Sequence, residues 1–92
     1  MSRLDELFTR CQTENRAALI GYLPVGFPSY DDSVAGMLAM VEGGVDAVEV
    51  GVPYTDPGMD GPVIQVAVDA ALRAGTRVAQ VFDAVRAVSA HA

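Results

Sequence analysis

The 92-residue sequence has no lysine and no tryptophan, one cysteine and one histidine. A lone cysteine, Cys11, excludes an internal disulfide framework and a cysteine metal cluster. His91, beside the end of the sequence, reads as a solvated tail residue. With one histidine and one cysteine, the ligand sets expected for zinc and a Ser-His-Asp triad are absent. Basic charge is scarce as well. Six arginines face twelve acidic residues, for a net charge of −6, which argues against nucleic acid or an anionic membrane as the main partner. The arginines are scattered, so they do not suggest a phosphate site. No apolar run approaches the ~20 residues of a membrane span. Met1-Ser-Arg-Leu-Asp-Glu-Leu7 lacks the basic and apolar regions of a signal peptide, so the expectation is a reducing cytoplasm and no metal.

What is present is a globular pattern. Half of the residues are hydrophobic and a fifth are charged, which suits one small domain with a modest core, here residues 1–92. Leu4, Leu7, Phe8 and Cys11 recur at helical spacing, predicting an amphipathic helix over 3–13 with Ser2 and Asp5 as a capping box. Ala17 to Leu23 is an apolar run without helical period, as expected of a strand buried on both faces. Pro24, Gly26 and Pro28 end it in a loop. Val34, Met37, Leu38 and Val41 predict a second helix, capped from Ser29–Asp32 and stopped at Gly43-Gly44. Residues 46–51 read as a second strand. Gly61-Pro62 opens a third helix carrying Ile64, Ala67, Val68, Ala71 and Leu72. Thr76 is the expected cap of a fourth, in which Val78, Val81, Phe82, Val85 and Val88 share a face.

This order predicts an α/β chain with two parallel strands joined by a crossover helix. Two parallel strands neither close a barrel nor form a covered sheet, and each keeps an unpaired edge. A (β/α)₈ barrel needs about 250 residues. The expectation is therefore a barrel segment, about a third of the whole, or a chain that completes its sheet by association.

Chemistry concentrates in residues 48–62. Glu49 interrupts the apolar run Val45–Val52, where a buried carboxylate costs several kcal/mol unless paired, protonated or used. It can be a solvent-facing residue at a sheet edge, or the partner of an arginine not yet seen. It can also be a carboxyl near the C-terminal end of a parallel strand, where α/β folds place catalytic groups and where partial desolvation raises the pKa toward neutrality. Asp60, in Asp-Gly-Pro, reads first as a turn and helix-cap residue, and Asp56, in Asp-Pro, as a turn initiator. A calcium loop starting at Asp56 fails, because Gly58 and Ala67 fall where ligands are required. No glycine fingerprint for dinucleotides or Walker loop occurs. Tyr22, near the end of the first strand, is a core aromatic or the lining of a pocket mouth.

The run Glu49-Val-Gly-Val-Pro-Tyr-Thr-Asp-Pro-Gly-Met-Asp-Gly-Pro-Val-Ile-Gln65 resembles the signature of the tryptophan synthase alpha chain family. Leu23-Pro-Val-Gly-Phe-Pro-Ser29, Gly43-Gly-Val-Asp-Ala-Val-Glu49 and Ala74-Gly-Thr76 extend the likeness over residues 3–90. The resemblance implies an N-terminal helix, the first two βα units and a following helix of a TIM barrel. It implies a lyase of tryptophan biosynthesis that cleaves indole-3-glycerol phosphate to indole and glyceraldehyde 3-phosphate by a retro-aldol reaction. No cofactor is implied for this chain, with pyridoxal phosphate in a partner beta chain. By the same resemblance Glu49 is the acid/base, Asp60 accepts the indole N–H, and Tyr22 lines the indole pocket. Pro53 and Asp56 belong to a loop that contacts the beta chain. Pro24 and Phe27 depart from the family's usual Thr and Asp, and Gly58-Met59 from its frequent Leu-Ala. The phosphate-binding loops of such barrels lie beyond this sequence, which leaves an alternative: a catalytically inactive βα fragment that self-associates through its strand edges.

Overall fold

The computed structural model describes residues 2–54 and 61–91. Its elements run α1 (Arg3–Thr13), β1 (Ile20–Pro24), α2 (Tyr30–Gly43), β2 (Ala47–Gly51), α3 (Pro62–Arg73) and α4 (Val78–Ser89). The expected capping box forms at α1: the Asp5 N–H donates to Ser2 Oγ (3.1 Å) and the Ser2 N–H to Asp5 Oδ2 (3.2 Å). Ser29 caps α2 by accepting the Asp32 N–H at 3.1 Å. Gly44 then ends the helix in the left-handed region, at φ 101°, which a side chain rarely adopts. The last helix departs from expectation. Its cap position is Arg77 rather than Thr76, and the Arg77 N–H donates to Gln80 Oε1 at 2.9 Å.

β1 and β2 pair in parallel, from Ile20 opposite Ala47 to Pro24 opposite Gly51. Side chains alternate along each strand, so the sheet has two unlike faces. Leu23, Val48 and Val50 turn toward the helices and join a core built on Val25, Met37, Val81, Ala84 and Val88. Ile20, Tyr22 and Glu49 turn the other way and are exposed. The expectation of strands buried on both faces is thus wrong for this chain. A two-stranded sheet cannot curl around its own inner face, and of the strand residues on that face only Pro24 and Gly51, at the C-terminal ends, are buried.

The helices show the same one-sidedness. Ala67, Val68 and Ala71 of α3 are buried, with Ile64 and Leu72 half-buried, as the spacing predicts, and α3 packs against β1. In α4 the buried stripe is Val81, Ala84 and Val88, whereas Val78, Phe82 and Val85 are exposed. In α1, Leu7 and Cys11 are buried but Leu4 and Phe8 are not. Hydrophobic spacing located each helix correctly. It overstated how much of each apolar stripe this chain covers itself.

β1 begins at Ile20, not Ala17, because a side-chain latch occupies the approach to it. Arg16 donates to both oxygens of Asp46 (3.0 and 2.9 Å), and the Leu19 N–H donates to Asp46 Oδ2 at 2.7 Å. The latch ties the entry of β1 to the entry of β2. Hydrogen bonds from Arg16 and then from the Leu19 N–H hold the Asp46 carboxyl below its ordinary pKa. A lowered folded-state pKa stabilises the fold above the ordinary aspartate value, about 4, and that stability is lost as pH falls through the lowered value. Asp46→Asn is therefore expected to melt below the parent near neutral pH, with the gap narrowing from about pH 4 downward. Thermal melts across that range check this, and a gap independent of pH contradicts it.

Candidate functional site

Of the predicted site residues, Tyr22 and Glu49 are brought together. They are direct register partners across the parallel pair, on the open face at the middle of the two strands, two residues before their C-terminal ends. Neighbouring strands lie about 4.8 Å apart, so one small ligand can touch both side chains. Both are exposed, which overturns the reading of Glu49 as a carboxylate buried within a strand. The ion pairs among the described residues involve Arg16, Arg73 and Arg86, with Glu14, Asp46, Asp69 and Asp83. Glu49 is in none of them, so no arginine among the described residues is its ion-pair partner. Tyr22 is 38% exposed, which favours a pocket-lining position over a core one.

Gly51 continues the Glu49 face two residues on, yet it is buried. Its carbonyl accepts the Val25 N–H at 3.0 Å, closing the top of the strand pair. The loop after β1 is fastened to α2 through Ser33, a fully buried polar residue. Ser33 Oγ accepts the Gly26 N–H at 3.0 Å and donates to the Tyr30 carbonyl at 2.7 Å. Sequence inspection did not single out Ser33, Gly51 or the Arg16–Asp46 latch. Each acts through a partner distant in sequence or through a missing atom, and no local pattern marks either.

Pro53 follows β2 and is half-buried. With Val52, Tyr54, Leu72 and Val78 it lines a shallow groove of about 450 Å³ beside the start of α4. Asp56 and Asp60 lie outside the described residues. The cap position of α3 is Gly61, with Pro62 in the first turn, so the cap role read for Asp60 falls to its neighbour. Among the described residues, no three His, Cys, Asp or Glu side chains gather as metal ligands. No described helix is long and apolar enough to cross a membrane.

Residues 8–92 match the family model described as tryptophan synthase alpha chain. The chain is 59% identical over 88 residues to the tryptophan synthase alpha chain of Mycobacterium tuberculosis strain H37Rv, covering 96% of this chain and 33% of the relative. The Mycobacterium ulcerans alpha chain matches with the same identity and coverage. Among solved structures, an aminoacrylate-bound tryptophan synthase from M. tuberculosis superposes with a TM-score of 0.96 at 57% identity, covering 99% of this chain and 37% of that one. The alpha subunit of Legionella pneumophila superposes with a TM-score of 0.92 at 30% identity, covering 100% and 35%. The chain thus spans about a third of the length of the relatives it matches. Its helix-first run of parallel βα units is a segment of their (β/α)₈ barrel.

Proposed function

The chain belongs to the tryptophan synthase alpha chain family, and from that premise we propose that its open sheet face serves the retro-aldol cleavage of indole-3-glycerol phosphate to indole and glyceraldehyde 3-phosphate. The observation that carries the reading is the pairing of Glu49 with Tyr22 on one sheet face, two residues before the C-terminal strand ends at which barrels of this kind build their active sites. Indole is a poor leaving group as a carbanion, so its ring carbon must be protonated before the bond breaks. Glu49 supplies that proton and assists removal of the side-chain hydroxyl proton. Protonation places positive charge on the ring system, which a fixed carboxylate offsets in a site that excludes water. By resemblance that carboxylate is Asp60, accepting the indole N–H. The Tyr22 ring offers the flat apolar wall that an indole needs. The chemistry requires no cofactor on this chain. A beta chain carrying pyridoxal phosphate takes up the indole, and Pro53 and Asp56 belong to the segment that meets it.

Most of the substrate's phosphate anchor lies in the other two-thirds of such a barrel, and binding energy from remote groups supports turnover. The decisive experiment therefore joins this segment to the remaining two-thirds of the M. tuberculosis relative and follows indole release from indole-3-glycerol phosphate. Release is expected from the joined barrel and none from the segment alone. A folded joined barrel that releases no indole overturns the proposal.

For the segment as an isolated molecule, the uncovered apolar residues favour the second reading, self-association. Ile20 on the sheet, Leu4 and Phe8 on α1, and Val78 and Phe82 on α4 are all exposed, and among the described residues the outer edge of each strand in the two-stranded sheet has no strand partner. Such edges and patches recruit other chains. Size-exclusion chromatography is expected to show an apparent mass that rises with concentration. A single monomeric peak throughout rejects this reading.

A further inference from the structure

We propose that Gly51 is a positioning residue of the site: its lack of a Cβ lets the Tyr22 ring lie across β2 beside Glu49, and so sets the wall against which a planar aromatic ligand rests. The proposal rests on the reading of this face as an indole site. A Cβ at position 51 would stand 2.7 Å from Tyr22 Oη, 2.9 Å from Tyr22 Cε2 and 2.9 Å from Pro24 Cα. All three separations are closer than folded proteins tolerate for a Cβ.

Two of those three atoms belong to the Tyr22 side chain. The ring therefore leans over Gly51, along its own face of the sheet, and Gly51 is buried on a face where Ile20, Tyr22 and Glu49 are exposed. The backbone beneath it has little room to yield. Pro24 is fully buried, and the Gly51 carbonyl is held by the Val25 N–H. A methyl group at position 51 meets both the ring and the Pro24 backbone at 2.9 Å; the backbone contact remains, and of the two the ring is the part that can turn. Turning it moves the only aromatic side chain within the two strands away from the carboxylate opposite.

The test uses the 92-residue chain and nuclear magnetic resonance, with indole as the probe. Cross-relaxation between the Gly51 Hα protons and the Tyr22 ring protons is expected in the parent, and its absence overturns the proposal. Gly51→Ala is expected to shift the Tyr22 ring resonances and to weaken indole binding about three- to tenfold, the value of a lost aromatic contact. Tyr22→Leu should weaken it similarly. The double variant should bind no more weakly than Tyr22→Leu alone, because both changes act through one ring. Additive losses, or unchanged ring resonances and binding in Gly51→Ala, overturn the assignment. If Gly51→Ala does not fold, recovery of the fold in the double variant supports the ring as the obstacle. A double variant that unfolds as readily as the single one overturns it, since contact with Pro24 then explains the glycine. A parent that shows the ring contact but does not bind indole overturns the reading of the site while leaving the seating of the ring intact.

Discussion

Indole release by the joined barrel is expected to fall about 10²- to 10⁴-fold when Glu49 becomes Gln, the range for loss of a general acid/base. Glutamine keeps the size and shape of the side chain and can still donate a hydrogen bond, but it has no carboxyl group to give up or take up a proton. The structure separates this effect from damage to the fold. Glu49 is exposed and takes no part in the ion pairs among the described residues, so its neutralisation strands no buried cation. Exposed substitutions of this kind change stability by about 0.5 kcal/mol or less. The melting temperature should therefore stay put while kcat/KM collapses. Parallel melts and steady-state assays check both halves. Retention of more than about a tenth of the activity contradicts the acid/base role.

Met37→Ala is expected to act in the opposite way, through the fold. Met37 is fully buried on α2, at the centre of the cluster joining Val25 on the β1 exit to Val81, Ala84 and Val88 on α4. Truncating a buried Met to Ala costs about 2–5 kcal/mol, from lost transfer energy and the cavity left behind. A small domain has little stability in reserve. At about 4–8 °C per kcal/mol for a domain of this size, the melting temperature should drop by about 10 °C or more. Met37→Leu conserves volume and should cost less than about 1.5 kcal/mol. Calorimetry or circular dichroism distinguishes the two variants, and equal melting temperatures would place the core elsewhere.

Particular residues show why some features were legible and others were not. The helix spanning Arg3–Thr13 was readable because its cap and its apolar spacing are both local. The end of α2 at Gly44 was readable because only glycine adopts that backbone easily. The fourth helix was located correctly, but its buried face was not. Val78, Phe82 and Val85 lie close to the stripe of Val81, Ala84 and Val88, and periodicity cannot say which apolar side meets α2 and β2. Glu49 was found because a carboxylate in an apolar run breaks a pattern. Its exposure was missed because a strand of a complete barrel and a strand of a barrel segment have the same sequence.

The sequence by itself determined the order of elements, their parallel strands, the identity of the acid at position 49 and the family to which its motif belongs. These follow from chemistry carried within a few residues: spacing, caps, turn formers and one out-of-place charge. Only the tertiary structure decided that Tyr22 lies opposite Glu49, that Asp46 latches Arg16 to the entry of both strands, that Gly51 leaves room for a ring, and that the site's face stands open. Register and cover depend on how segments distant in sequence meet, and a chain with two strands buries only the face its own helices can reach.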